Sequence, residues 1–165
     1  MNVLSTEELN IFCQSYLRSF PFYGAYVTDY FSTLYYSGMR SSEPLDNSLF
    51  SFEKEDYVIL QPKKRNNLRQ LPRNIFSDNV LKSWQYNGNW LNSSSLSKYS
   101  NIFNKYSIYG QLFVLNKDVS MYVFRYNYVK QLQQQGLTVL EIQHEMGWTN
   151  LSMVYEYLNA EIYYI

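Results

Sequence analysis

One cysteine and one histidine in 165 residues remove several kinds of chemistry at the outset. A lone Cys13 admits neither an intrachain disulfide framework nor a cysteine-cluster metal site. Its place in the stripe Leu9, Phe12, Cys13, Tyr16, Leu17, Phe20 marks it as a buried, inert thiol. The single histidine, His144, lies opposite Ile142 on a helical pattern and reads as an exposed residue outside any motif. No apolar run approaches the roughly 20 residues of a membrane span, and the N-terminus lacks the basic and then apolar stretch of a secretory leader. A membrane is therefore not an expected partner, and a cytoplasmic setting, that of the cell or of a host, is the expectation. Excess charge is also missing: 14 basic residues balance 14 acidic ones, so global charge points to no polyanionic partner.

What is present is apolar and aromatic. Hydrophobic residues make up 46% of the chain, with 18 tyrosines, and the length suits one domain that buries a real core. Ser5 with Glu8 caps a first helix to about residue 18, and Pro21 separates it from a second ending near Gly38. A short turn spans 43–46. Segments 49–53 and 56–61 pattern as strands, and 69–72 makes a third, with Asn66 and Asn67 at the hairpin tip. A helix over 74–86 precedes an Asn/Ser-rich loop at 87–95, and further helices are expected over 96–107, 117–134, 138–146 and 150–161. The fold class is α+β, mainly α: a helical domain with a small three-stranded antiparallel sheet. Local charge is uneven, since residues 57–77 hold Lys63, Lys64, Arg65, Arg69 and Arg73 and no acid.

The densest information lies in YVFRYNYVKQLQQQGLTVLEIQHEMGWTNLSMVYEY, residues 122–157. Tyr122 and Arg125 are three apart on a helix and share a face. The apolar stripe Met121, Phe124, Tyr128, Leu132 faces a core, with Arg125 along its edge. A guanidinium so placed needs a partner, and its planar fork suits an oxyanion such as phosphate. Gly136 stops the helix, Thr138 and Glu141 form a capping box for the next, and Trp148 is followed nine residues later by Tyr157.

This arrangement resembles the catalytic domain of the tyrosine recombinases, the phage-integrase family. That family closes with a His-x-x-Arg helix, a Leu-Gly-His or Leu-Gly-Trp turn and a nucleophilic tyrosine nine residues on; here stand YVFR, MGW and Tyr157. Its Thr-Gly-Leu-Arg-x-Ser-Glu box resembles SGMRSSE at 37–43, with Arg40 as the first active-site arginine and Glu43 as an orienting or capping carboxylate. Anchoring the family's Arg-x-Val-Pro hairpin end on Arg69, Leu71 and Pro72 makes Lys64 the matching lysine and Lys63 the alternate. The resemblance runs from Ser5 to Tyr157. Residues 1–165 are read as one catalytic domain with no separate N-terminal core-binding domain.

The resemblance implies site-specific cleavage and rejoining of double-stranded DNA through a 3′-phosphotyrosine, with Arg40, Lys64, Tyr122, Arg125, Trp148 and Tyr157 in the site. Lys63, Arg65, Arg69 and Arg73 are expected to face DNA. It further implies no metal or cofactor, since two arginines and a lysine supply the positive charge. The expected assembly is a homo-oligomer on DNA, with accessory proteins left open, and its short apolar tail (LNAEIYYI) packs into a neighbouring subunit. Three other readings stay open: a type IB topoisomerase-like enzyme, a DNA-binding module that lost catalysis together with histidine, and an unrelated helical protein. The departure that matters is Tyr122 where the family has histidine, with Tyr126 following Arg125. A phenol is a poor base near neutrality, so Tyr122 is expected to donate a hydrogen bond. The pH–rate profile should then lack a step in the imidazole range; an inflection there that survives replacement of His144 would count against this site.

Overall fold

The structure is a computed structural model that describes residues 4–19, 24–64, 66–86, 113–115, 122–160 and 162–164. Helix α1 (Thr6–Ser19) starts on a reciprocal cap: the Glu8 N–H donates to Ser5 Oγ, and the Ser5 N–H donates to Glu8 Oε1. It packs on α2 (Gly24–Ser37), and Leu9, Cys13, Val27, Phe31 and Leu34 are buried. Burial pushes the Cys13 thiol up to about 11, as befits an inert side chain. After α2 the chain turns through Gly38 into a 3-10 turn at Glu43–Leu45.

A three-stranded antiparallel sheet follows, in order β1 (Phe50–Ser51), β2 (Tyr57–Leu60) and β3 (Arg69–Pro72). Pro72 pairs opposite Tyr57 on edge strand β3, where a missing N–H does least harm. Alternation sends Arg69 and Leu71 inward and Gln70 and Pro72 outward. Helix α3 (Asp78–Tyr86) is pinned by Trp84, which stacks on Phe50 at 3.8 Å and donates its indole N–H to the Pro44 carbonyl at 2.8 Å. That contact seats the Glu43–Leu45 turn against the core.

Helix α4 (Val123–Gln134) runs through the middle. Val123 and Phe124 belong to one apolar cluster with α1, α2 and the sheet, whereas Val129 and Leu132 belong to a second with the last two helices. A helix buried on several faces cannot keep a simple amphipathic stripe. Gly136 ends it in the left-handed region (φ 93°), and the Leu137 N–H reaches back to the Leu132 carbonyl. Helix α5 (Val139–Glu145) opens on the Thr138/Glu141 capping box, and α6 (Ser152–Asn159) carries Tyr157. Among the described residues no helix is long and apolar enough to cross a membrane.

The expected helix over 96–107 and loop over 87–95 lie outside the described residues. Two other differences have local causes. The third strand's successor is a 3-10 turn at Arg73–Ile75, so α3 starts at Asp78 rather than near 74. The chain after α6 forms a strand: Ile162–Tyr164 is β5, paired antiparallel with β4 (Phe113–Leu115) of the same chain. Three-residue strands far apart in sequence leave no periodic signal.

Gly38 and Gly136 both have positive φ, but their surroundings differ. A Cβ at Gly38 would lie 2.4 Å from the Tyr128 ring, whereas one at Gly136 would meet nothing within 4 Å. Gly136→Ala should cost about 1 kcal/mol of backbone strain, and Gly38→Ala about 3 kcal/mol or more, since a buried ring must move as well. Urea unfolding of the two variants checks the order.

Candidate active site

Four segments meet where α2 ends: the Gly38–Glu43 turn, the β2–β3 hairpin, α4, and the turn from α5 into α6. Each is fixed by its own chemistry. Helix α2 ends with carbonyls that have no helical partner. Two guanidinium groups take them up: Arg69 Nη2 donates to the Ser37 carbonyl at 2.6 Å, and Arg125 Nη1 to the Gly38 carbonyl at 2.7 Å. Arg69 Nε also donates to the Glu145 carbonyl at 2.7 Å, so one side chain joins the end of α2 to the end of α5.

Arg40 follows directly on that turn. Glu43, fully buried, accepts from the Arg40 N–H at 2.7 Å through Oε1 and from the Lys63 N–H at 2.8 Å through Oε2. The same carboxylate stands 3.8 Å from Arg40 Nη1. It thus ties the arginine's turn to the base of the hairpin. With its amide oxygen toward Arg40, the orientation that satisfies the surrounding donors, Asn66 accepts from Nη1 at 3.3 Å and Nη2 at 3.0 Å. The neighbouring Asn67 N–H donates to the Gly147 carbonyl at 2.7 Å, which docks the hairpin on the Met146–Trp148 turn. Gly147 (φ 68°) permits this approach: a Cβ there would sit 2.5 Å from the Asn67 carbonyl oxygen.

Arg125 lies inside the protein at 1% exposure, deeper than the edge position its helical spacing implied. Its Nε donates to the Tyr157 hydroxyl at 3.2 Å, and its guanidinium carbon stands 5.4 Å from the Trp148 ring centre. The Tyr157 ring is held between Tyr126, stacked at 4.2 Å, and Trp148 at 4.8 Å. Burial pushes the pKa of Arg125 below the usual arginine value; Arg40 and Arg69 push it the same way, while Tyr157 and Glu43 push it back up. Burial likewise raises the Tyr126 phenol above the usual tyrosine value. Among the described residues Arg125 Nη2, Arg69 Nη1 and Trp148 Nε1 are buried donors without a partner, as is Asn127 Nδ2, whose oxygen accepts from the Leu4 N–H. Such donors are rare in a folded protein, and the first three belong to side chains of the segments that meet here.

The structure therefore gathers Arg40, Arg125, Trp148 and Tyr157 from residues 117 positions apart along the chain. Lys64 is exposed in the hairpin loop with a left-handed backbone (φ 66°), two residues before Asn66. Tyr122 is 41% exposed at the N-cap of α4, one turn before Arg125. Arg65 lies outside the described residues. Arg69 and Arg73 differ from expectation. Arg69, at 2% exposure, is an internal clamp rather than an outward contact. Arg73 is half-buried and gives its Nη2 to the Phe52 carbonyl at 3.1 Å, bracing the β1–β2 connection. The signal for Arg69 was available, because a residue two before Leu71 on a strand shares its inward face. Tyr126 was passed over as a missing histidine, although its ring is a wall of the Tyr157 pocket.

No family model matches the chain, and no curated protein matches it at a significant level. Solved structures do. XerH site-specific recombinase bound to difH substrate superposes with a TM-score of 0.62 at 17% identity, over 96% of this chain and 50% of that one. Lambda integrase (75–356), as a dimer bound to a COC′ core site, gives 0.63 at 14% identity, over 94% and 58%. XerA recombinase gives 0.59 at 15% identity, over 98% and 61%. This chain spans only 50% to 61% of the length of these longer proteins. At such identities the likeness establishes architecture alone, and that architecture is the one found in the catalytic domain of tyrosine recombinases.

Proposed function

We propose that this chain is the catalytic domain of a site-specific DNA recombinase that breaks and rejoins strands through a covalent 3′-phosphotyrosyl link. One observation carries the reading. A buried arginine touches the hydroxyl of Tyr157, keeps a second N–H without a partner, and donates to the turn that leads to Arg40. Unpaired charge-assisted donors around a phenol suit one ligand chemistry well, a tetrahedral oxyanion that presents oxygens on several sides.

In this reading the Tyr157 oxygen attacks phosphorus. The O–P bond forms as the bond to the 5′-oxygen breaks, and the phenolic proton passes to water. Arg40 and Arg125 neutralise charge growing on the non-bridging oxygens, with Trp148 Nε1 as a third donor. Lys64, on the exposed hairpin loop, gives a proton to the departing 5′-oxygen. Attack by a 5′-hydroxyl on the phosphotyrosine reverses these steps and joins the strands. Tyr122, at the first turn of α4, holds the position of the family's histidine and acts as a hydrogen-bond donor. Double-stranded DNA is the partner, engaged by Lys63, Lys64 and Arg65 of the hairpin loop, and recombination of two sites calls for a homo-oligomer on DNA.

The expected chemistry is checked with a nicked suicide duplex. Tyr157→Phe should abolish the covalent adduct, whereas Tyr155→Phe, at a 48% exposed position facing away from the ring pocket, should retain it. The reverse result would overturn the assignment, and no adduct from the unaltered chain would leave only a DNA-binding module. Salt dependence separates the basic residues: Lys64→Ala should make the log–log binding slope shallower by about 0.9. Arg69→Met should leave the slope unchanged while lowering stability by about 2–4 kcal/mol, because the carbonyls it serves lose their donors.

A further inference from the structure

Lys130 lies on α4, five residues after Arg125. In the structure it is 1% exposed, and its ammonium donates to the Ala160 carbonyl at 2.5 Å. Long basic side chains normally keep the charged end in water. Here the charge is carried inside, and a backbone oxygen at the point where α6 ends accepts from it.

That oxygen belongs to the C-cap of the helix that bears Tyr157, and Ala160 leaves it in extended backbone (φ −65°, ψ 134°) toward β5. An ammonium there satisfies an orphan carbonyl and lies at the favourable end of the helix dipole. Ala160 is the C-cap, three residues after Tyr157. Helix α4 therefore holds α6 at two points. Arg125 Nε holds the phenolic oxygen of Tyr157, and Lys130 Nζ holds the backbone one turn later. The first bond fixes the phenol, and the second fixes the backbone where α6 ends, the end at which a helix frays.

We infer that Lys130 is a positioning residue for Tyr157, keeping the last turn of α6 seated on α4 so that the phenolic oxygen stays beside Arg125. The inference rests on the function proposed above. It differs from a purely stabilising role in a measurable way. Loss of one donor to the Ala160 carbonyl lowers stability to a degree that the folded fraction reports, whereas a nucleophile displaced by about 1 Å loses roughly 100-fold in rate on chains that are still folded.

The variants are Lys130→Met, similar in volume but without a donor, and Lys130→Arg, which keeps donors. Lys130→Met should stay folded and bind a duplex site within about twofold of the unaltered chain, since Lys130 is buried. Its single-turnover adduct formation on a nicked suicide duplex should fall about 10- to 100-fold, and Lys130→Arg should recover most of the loss. Hydrogen exchange read over residues 157–160 should quicken about tenfold in Lys130→Met, with the first turn of α6 unaffected. Adduct formation by Lys130→Met at the unaltered rate would overturn the inference. If Lys130→Met does not fold, the exchange of the unaltered chain decides: a last turn as protected as the middle of α6 supports the latch, and a last turn exchanging like a loop refutes it. An unaltered chain that forms no adduct removes the proposed function, and the latch then stands or falls on exchange alone.

Discussion

Two carbonyls at the end of α2 and two guanidinium groups from elsewhere in the chain satisfy one another, and the site is built on that exchange. The Ser37 and Gly38 carbonyls have no helical partner, and Ser37 and Met39 are buried, so water does not serve them. Arg69 from β3 and Arg125 from α4 supply the donors. The arginines in turn are buried and need acceptors that do not neutralise them. Carbonyls meet that need, because they take hydrogen bonds while leaving the positive charge in place. Gly38 makes the geometry accessible, being the residue in the left-handed turn against the Tyr128 ring. The turn it makes leads directly to Arg40.

A local electrostatic surplus follows. Arg40, Arg69 and Arg125 all act on one another, and among the described residues the carboxylate that acts on all three is Glu43. Its two oxygens are already committed to the backbone N–H groups of Arg40 and Lys63. A chain with no net charge thus concentrates unbalanced positive charge in a region of low dielectric, where a charge is felt more strongly than at the surface. Global composition carries no trace of this, because acids elsewhere in the chain cancel it in the sum.

The legible part of the molecule was local. Helix starts at Ser5 and Thr138, the stop at Gly136 and the hairpin of β2 and β3 are written in adjacent residues whose hydrogen bonds close within one turn. The meeting of Arg40 with the Arg125–Tyr157 pair was legible only through the resemblance, since no periodicity connects residues so far apart. What was missed depends on depth and direction. Arg69 and Arg73 belong to a basic run that reads as an outward face, but strand alternation turns one of them inward and a bend uses the other. Arg125 went deeper than its place along the helical stripe implied, because α4 separates two cores; Lys130 is buried for the same reason. The β4–β5 pairing is a long-range contact between short strands and had no local signature.

The position of Tyr157 bears on how such a site would work. Its ring is 7% exposed, walled by Tyr126 and Trp148, and its hydroxyl occupies one N–H of Arg125. A phosphodiester cannot reach the phenol without some of these contacts yielding. The two ring contacts are worth about 0.5–1.5 kcal/mol each beyond their buried area, so separating them costs on the order of 1–3 kcal/mol. Against this stand the donors that the closed arrangement leaves without partners. A buried N–H with no acceptor is unfavourable by about 1–3 kcal/mol, and a hydrogen bond to a charged group contributes about 1.5–3 kcal/mol. An anion that satisfies Arg125 Nη2 and Trp148 Nε1 together therefore gains on the same scale as the ring contacts it displaces. Tight aromatic packing and ready opening are compatible here because the arginine beneath the rings is left one partner short.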